Sequence, residues 1–377
     1  MKEIRMVDLH GQYLKIKDEV SDAMQEVIDT SAFIRGKDVQ LFQEELASYM
    51  GVSHAIACGN GTDALQVAMM ALDLEPGDEV ITTPFTFIST IEVIRLLGLK
   101  PVLVDVLPDT FNLDPSLLEA ALTERTRAIV PVHLFGQCAD MDSIMKLARQ
   151  KGLHIIEDTA QALGTDFQDA AGNQHKAGTI GDMGTTSFFP SKNLGAFGDG
   201  GALFTNNNQL AEKLRSLVNH GMSRERYYYE QVGVNSRLDT LQAAILRVKL
   251  PYLDSYHQAR QSAADWYDRE LTGIEGLKTP VRSSFSSHIF HQYTLQVPAG
   301  RRDALKRFLA EKNIPSMIYY PVPLHLQRAY SDLGYGSGSL PVAEQLSEVV
   351  LSLPIHTEMD EQQLAHISEQ IKAFFNS

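Results

Sequence analysis

The sequence predicts an α/β fold: a large domain on a mostly parallel, mixed sheet, followed by a smaller C-terminal α+β domain. Three observations predict it. Short apolar runs alternate with helical stripes through the first half of the chain. Two further apolar runs lie close enough to pair antiparallel across a glycine-rich turn, and near residue 250 the alternation gives way to a long helical stretch.

Leu65, Ala68, Met69 and Leu72 recur at i, i+3, i+4 and i+7, so 62–74 is expected as a helix, and Glu79–Thr82 reads as a short buried strand. Pro101–Asp105, Ala128–Val132 and His154–Ile156 continue the strands, with helical segments near 114–122 and 140–150 between them. Strands separated by helices imply right-handed crossovers and helices on both faces of the sheet. Thr185–Phe189 and Ala202–Thr205 are expected to pair antiparallel across the Gly195–Gly201 turn, which makes the sheet mixed. Residues 238–272 are helix-rich, and Pro251 interrupts them; the domains are therefore drawn as 1–250 and 251–377. Beyond lie an expected strand (Gln292–Val297), helix (Arg302–Lys312), strand (Met317–Tyr320) and terminal helix (Glu361–Phe375).

With 377 residues, 44% hydrophobic and 21% charged, the chain has the composition of a two-domain globular protein. A net charge of −14 argues against nucleic acid or an anionic membrane as partner, because the long-range field repels both. An anionic ligand must then be captured by a local basic cluster. Two cysteines, Cys58 and Cys138, make no disulfide framework and have no metal spacing; the 12 histidines are scattered, and His288 and His291 have no further ligand nearby, so no metal is expected. Met1–Arg5 lacks an apolar signal core, and no stretch approaches the roughly 20 apolar residues of a membrane span, so the expected location is the cytoplasm. No Gly-x-Gly-x-x-Gly follows residue 57, which removes a dinucleotide-dependent enzyme.

Three segments carry chemistry. Gly59-Asn60-Gly61-Thr62-Asp63 joins a strand to the helix at 62–74, aiming backbone N–H groups and the Thr62 hydroxyl at an anion. Asp158 ends the strand His154-Ile155-Ile156-Glu157-Asp158, and Lys192 lies in Ser187-Phe188-Phe189-Pro190-Ser191-Lys192-Asn193-Leu194-Gly195, just past another strand. A lysine amine and a strand-end carboxylate suit pyridoxal phosphate: the amine condenses with the aldehyde, and the carboxylate keeps the ring nitrogen protonated. A free lysine has a pKa near 10.4, about three units too high for a base at neutral pH, so burial must lower it. Gly195–Gly201 lacks a Gly-Lys-Ser/Thr ending and opens no helix, so it reads as a turn.

These segments, with Pro84-Phe85-Thr86-Phe87-Ile88-Ser89-Thr90, Glu157-Asp158-Thr159-Ala160-Gln161 and Gly198-Asp199-Gly200-Gly201, resemble the DegT/DnrJ/EryC1/StrS sugar aminotransferases over about residues 7–356. The resemblance implies a fold-type I, aspartate aminotransferase-like fold, pyridoxal 5'-phosphate as cofactor, and transfer of an amino group, usually from glutamate, to a nucleotide-linked keto-sugar. It implies that Lys192 carries the cofactor and that Asp158 partners the pyridine nitrogen. Gln161 would approach the 3-hydroxyl and Phe87 would stack on the ring. Thr62 and Ser187 would supply phosphate-binding hydroxyls, and Gly61 and Asp63 backbone N–H groups.

Gly233–Ala244 resembles a family segment that reaches into the neighbouring subunit, where Asn235 would close the phosphate site and Arg237 would meet the substrate; a homodimer with composite active sites is implied. Its Asn-Ser-Arg-Leu-Asp wording resembles members that aminate carbon 3. Gln231–Leu250, Phe135–Asp140 and Tyr320–Leu324 resemble members acting on a UDP-linked 2-acetamido-3-keto-glucuronic acid, in the making of bacterial surface polysaccharide such as O-antigen. A dTDP-linked 3-keto-6-deoxyhexose or a 4-keto sugar is the alternative. The uronate and diphosphate need cations, for which Arg237, His220, Arg224 and Arg226 are candidates. Tyr319, Tyr320 and His325 are also expected at the substrate, although relatives often have His-Tyr where Tyr319-Tyr320 stand. A regulatory homologue is the non-enzyme alternative, but it would have no reason to keep Lys192. The sugar dehydratases related to these enzymes carry histidine at that position.

Overall fold

The computed structural model describes residues 2–376. Three helices, α1 (Leu9–Lys15), α2 (Lys17–Thr30) and α3 (Lys37–Met50), precede the first strand, β1 (His54–Cys58). The expected alternation follows as α4 (Gly61–Ala71), β2 (Glu79–Thr82), α5 (Ser89–Leu96), β3 (Lys100–Leu103), α6 (Leu118–Ala121), β4 (Thr126–Ile129), α7 (Met141–Lys151) and β5 (His154–Asp158). A short hairpin, β6 (Asp166–Gln168) and β7 (Gln174–Lys176), leads to β8 (Met183–Ser187), β9 (Gly201–Thr205), α8 (Asn208–Leu217), α9 (Thr240–Lys249) and α10 (Leu253–Leu271). The C-terminal part holds β10 (Tyr293–Gln296), α11 (Arg302–Glu311), α12 (Pro341–Val349), β11 (Val350–Leu353) and α13 (Glu361–Phe375).

Among the described residues, the main sheet has seven strands in the order β1-β9-β8-β5-β4-β2-β3. Only β9 runs against the others, pairing antiparallel with β1 and with β8, while β8, β5, β4, β2 and β3 are parallel neighbours. The strands read as apolar runs because both faces are covered. α4 illustrates the cover: Ala64, Leu65, Val67, Ala68, Met69 and Ala71 are all buried, as befits a helix inside the core rather than on its surface.

One edge of this sheet gathers the functional segments. β1, β2, β5 and β8 all end there, and β9 starts there, so the loops carrying Gly61, Phe87, Asp158 and Lys192 open on the same side. Gly201 pairs with Cys58 on one side and Ser187 on the other. A Cβ at Gly201 would fall on the Asn60 carbonyl oxygen, and one at Gly61 would lie 2.6 Å from Ser187 Cβ. Only glycine lets β1, β9 and β8 close this tightly.

One expectation for the C-terminal half needs revision. Met317–Tyr320 is not a strand: Met317 alone exchanges backbone hydrogen bonds with Ser352 (3.1 and 2.7 Å), after which the chain turns inward. The partner of β10 is β11, antiparallel, which the sequence reading did not anticipate. Pro251 interrupts the helical stretch as expected: α9 ends at Lys249, the proline sits in a 3₁₀ turn, Leu250–Tyr252, and α10 starts at Leu253. The core changes along α10. Leu253 packs with Phe42, Phe188 and Leu246, whereas Ala263, Tyr267 and Leu271 join a second core with Ile4, Tyr293, Leu351 and Ile367. No described helix is long and apolar enough to cross a membrane. Replacing Gly201 by alanine should lower unfolding free energy by about 1–3 kcal/mol in urea titrations, because the clash is with backbone and cannot be relieved by a rotamer change. An unchanged midpoint would show that the strands can move apart there.

Candidate active site

A cavity of ≈610 Å³ opens at this edge. It brings together Gly61, Thr62, Phe87, Asp158, Gln161, Ser187, Lys192, Tyr319 and Tyr320 from the expected set. Asp158 forms its floor, 6% exposed at the end of β5. Its Oδ2 accepts from the Thr90 hydroxyl (3.0 Å) and its Oδ1 from the Ala160 N–H (3.1 Å). Burial pushes this carboxyl up from the ordinary aspartate range; the Ala160 N–H, the Lys192 cation and the Thr90 hydroxyl pull it back. Burial also lowers Lys192 to about 8, with Asp158 opposing the shift. A lysine tuned so close to neutrality can exchange protons at physiological pH.

The loop after β8 fixes Lys192. Lys192 N–H donates to Phe189 O (2.8 Å), Phe188 N–H to Gly200 O (2.7 Å) and Ala196 N–H to Phe188 O (2.8 Å). Beneath the loop, the buried ammonium of Lys249 donates to the Gly195 carbonyl (2.5 Å), and burial brings this lysine to about 8. Each bond restrains the short segment from which the Lys192 side chain rises.

An anion cradle forms where α4 begins. Asn60 caps the helix: its side chain accepts from Asp63 N–H (2.8 Å) and its carbonyl from Ala64 N–H (3.1 Å). The expected contribution of Asp63 is therefore corrected, since its N–H is already bonded and the residue does not line the cavity. The cavity-lining N-terminal residues are Gly61 and Thr62. Thr62 Oγ1 and Ser89 Oγ lie 2.8 Å apart, and Ser187 stands against Gly61. Hydroxyls, free helix N–H groups, a buried carboxylate, a lysine and the 56%-exposed ring of Phe87 make a donor set that fits a phosphorylated pyridine aldehyde.

Gln161 is held on both sides: Oε1 accepts from Phe135 N–H (3.0 Å), and Nε2 donates to the Tyr320 hydroxyl (3.1 Å). Burial raises the phenols of Tyr319 and Tyr320, which keeps both neutral. His325 is not at the cavity. Its side chain is fully buried, with Nε2 3.0 Å from Glu344 Oε1, and that carboxylate also accepts from the N–H groups of Gly338 and Leu340. The substrate role expected for it is corrected to a structural one. His220, Asn235 and Arg237 do not line this cavity either; Asn235 bridges to Asn219, and Arg237 lines a second cavity.

Thr90, Asp199 and His291, which are not among the residues expected at the site, also line the cavity. Thr90 and Asp199 lay within recognised motifs, whereas His291 gave no signal. Its Nδ1 meets Asn193 Oδ1 (3.3 Å), and burial with Lys192 and Arg260 nearby holds the ring well below the usual histidine range, hence neutral. Thr90→Val should raise the Asp158 carboxyl further, because the lost hydrogen bond favours the ionised form. The acidic limb of the rate profile should then move up by roughly half to one pH unit. A limb that stays in place would show that Asp158 does not control it.

The model of the DegT/DnrJ/EryC1/StrS aminotransferase family matches residues 14–372. Among similar proteins, the pleiotropic regulatory protein of Geobacillus stearothermophilus is 46% identical over 99% of this chain and 98% of its own. The UDP-N-acetyl-3-dehydro-alpha-D-glucosamine 3-aminotransferase of Acidithiobacillus ferrooxidans is 44% identical over 98% and 97%. The UDP-2-acetamido-2-deoxy-3-oxo-D-glucuronate aminotransferase of Pseudomonas aeruginosa is 43% identical over 95% and 96%. The solved structure of S. venezuelae DesV in complex with a ketimine intermediate superposes with a TM-score of 0.95 at 39% identity, covering 100% of both chains. The chain belongs to the DegT/DnrJ/EryC1/StrS aminotransferase family and is a pyridoxal phosphate-dependent sugar aminotransferase.

Proposed function

We propose that the protein moves an amino group from glutamate onto C3 of a nucleotide-linked keto-sugar, with UDP-2-acetamido-3-keto-glucuronic acid as the substrate, in bacterial surface polysaccharide synthesis. The observation that carries the reading is the convergence of Lys192 and Asp158 on one buried cavity from the ends of adjacent strands. The substrate follows from the two relatives named for 3-amination of UDP-linked sugars. The regulatory name of another relative belongs to that protein, and a lysine lowered to about 8 beside a buried carboxylate favours catalysis here.

Gly61, Thr62 and Ser187 would hold the cofactor phosphate, Asp158 its ring nitrogen, Gln161 its ring hydroxyl, and Phe87 one ring face. When bound, pyridoxal phosphate supplies an aldehyde that condenses with amines and a protonated ring that draws electrons from the adjacent carbon. Asp158, held by Thr90 and the Ala160 N–H, would stay ionised and so keep a proton on that ring. Lys192 Nζ, freed when the donor's amine takes its place at the aldehyde carbon, would accept the proton from the α-carbon of the donor and hold it for return. The buried cavity floor keeps water from competing. Tyr319 and Tyr320 also line the cavity with neutral hydroxyls, Tyr320 beside Gln161, where they would meet the sugar.

Incubation with glutamate and UDP-2-acetamido-3-keto-glucuronic acid should give the 3-amino sugar, identified by mass spectrometry and NMR. Amination only of dTDP-linked or 4-keto sugars would replace the substrate. Borohydride treatment of the holoenzyme should place the reduced cofactor on Lys192, and Lys192→Ala should lose both the label and turnover; an active Lys192→Ala protein would end the aminotransferase reading.

The composite site is part of the proposal. Asn235 and Arg237 lie outside the catalytic cavity of their own chain, as residues serving a second subunit would. Mixing Lys192→Ala with Asn235→Ala subunits should restore activity, because one site of each mixed dimer carries neither change. Loss of Asn235 should cost about 1–3 kcal/mol of phosphate binding, so the assay belongs at low cofactor concentration. No recovery despite proven subunit exchange would count against the arrangement.

A further inference from the structure

The catalytic cavity is poor in cations. Among the described residues, Lys192 is the one Lys or Arg that lines it, beside Asp158, and Asp199 adds a further carboxylate to the lining, so the cavity offers nothing further to neutralise a sugar-linked diphosphate. A second cavity, of ≈340 Å³, has the opposite character. Arg35, Lys37, Arg215 and Arg237 line it, with Gln40 and Asn219, and among the described lining residues there is no carboxylate. In a chain of net charge −14, four cations drawn from three parts of the sequence are concentrated here.

The surroundings leave this charge largely unanswered. The carboxylates of α3 that could neutralise it, Asp38 and Glu45, are turned to Arg247 instead, at 2.5 and 2.8 Å. Lys37 reaches Glu26 only at 4.0 Å, and Arg215 meets the His54 ring at 3.3 Å. α3 itself begins at the cavity with Gly36 as its N-cap and no side-chain cap, so its first N–H groups add positive potential. Guanidinium groups with free donors suit the bidentate recognition of phosphate oxygens.

We propose that this cavity binds the diphosphate of a nucleoside diphosphate, with Arg35 and Arg215 as contacts beside Arg237. The proposal rests on the reading above that the substrate is nucleotide-linked. Arg237 lies two residues from Asn235, which that reading sends to the cofactor phosphate of a second subunit. In the composite dimer of that reading, the cations that line this cavity with Arg237 would lie beside the second subunit's catalytic cavity.

Calorimetry of the holoenzyme with UDP and with inorganic pyrophosphate tests the assignment. In Arg35→Gln/Arg215→Gln, Kd for both probes should rise at least about tenfold. KM for the nucleotide-linked sugar should rise alike, with kcat held within about twofold. Arg215→Lys, which keeps the charge, should bind UDP within about threefold of wild type. Weaker probe binding with raised KM assigns the cavity to the substrate's diphosphate; weaker binding with unchanged KM assigns it to free nucleoside diphosphate. Unchanged UDP affinity in a double variant that melts like wild type overturns the proposal. Should the double variant melt early, Lys37→Gln decides: a loss of UDP affinity supports the cavity, and none overturns it. Formation of 2-oxoglutarate from glutamate without sugar tests the aminotransferase reading separately. Its absence in wild type would end that reading while UDP affinity still judged the cavity.

Discussion

The whole site depends on three strand ends meeting with no side chain between them. β9 is the inserted antiparallel strand, and its first residue, Gly201, faces Cys58 and Ser187 at once while lying against the Asn60 carbonyl. Because that junction closes, the start of α4 and the end of β8 touch, with Gly61 against Ser187. The two halves of the phosphate cradle are thus brought together by sheet register rather than by loop conformation. Strand pairing is stiff, so the cradle is preorganised before any ligand arrives.

The same junction sets the electrostatics. Lys192 rises from the turn between β8 and β9, and Asp158 ends the next strand over, paired with Thr185 two residues before Ser187. Burial acts on both, moving the lysine down and the carboxyl up, so each is driven toward neutrality. The Asp158 hydrogen bonds decide the balance, since the Thr90 hydroxyl and Ala160 N–H favour the ionised form that a pyridinium partner must keep.

The strand-helix alternation was legible where a strand has an apolar centre, as Ile155 and Ile156 give β5, and where a crossover helix carries regularly spaced apolar residues, as α4 does; β8 is buried yet reads Met-Gly-Thr-Thr-Ser. Asp158, Thr62 and Lys192 could be singled out because they stand at a strand end, a helix start and the turn after a strand, where side chains and free N–H groups can meet a ligand, whereas Ser187 was singled out by the family resemblance. The failures have local causes. Met317–Tyr320 has strand-like residues, but Met317 alone pairs with Ser352, and Tyr319 and Tyr320 turn to the cavity instead. Asp63 was miscast because the sequence cannot say that Asn60 would take its N–H. His325 was miscast because the carboxylate that holds it, Glu344, arrives from α12, a helix the sequence reading did not anticipate. His291 reaches the cavity through tertiary packing and no motif.

Glu157 and Asp158 show how far one residue step along β5 separates two carboxylates. Successive side chains of a strand point to opposite faces. Asp158 faces the cavity. Glu157 is fully buried on the other side, where Oε2 accepts from His133 Nε2 and Gly178 N–H (both 2.9 Å) and Oε1 from Ile180 and Gly181 N–H (both 2.7 Å). The Ala139 N–H donates to His133 Nδ1 (3.0 Å), which leaves the ring proton on Nε2 to meet Glu157. With two donors on each oxygen, Glu157 has no capacity left for chemistry. Its effect is positional: residues 178–181 lead directly into β8, so the carboxylate fixes where that strand begins beside β5. The spacing between Asp158 and the Lys192 loop is therefore set from behind the sheet by the acidic residue that never touches the cavity.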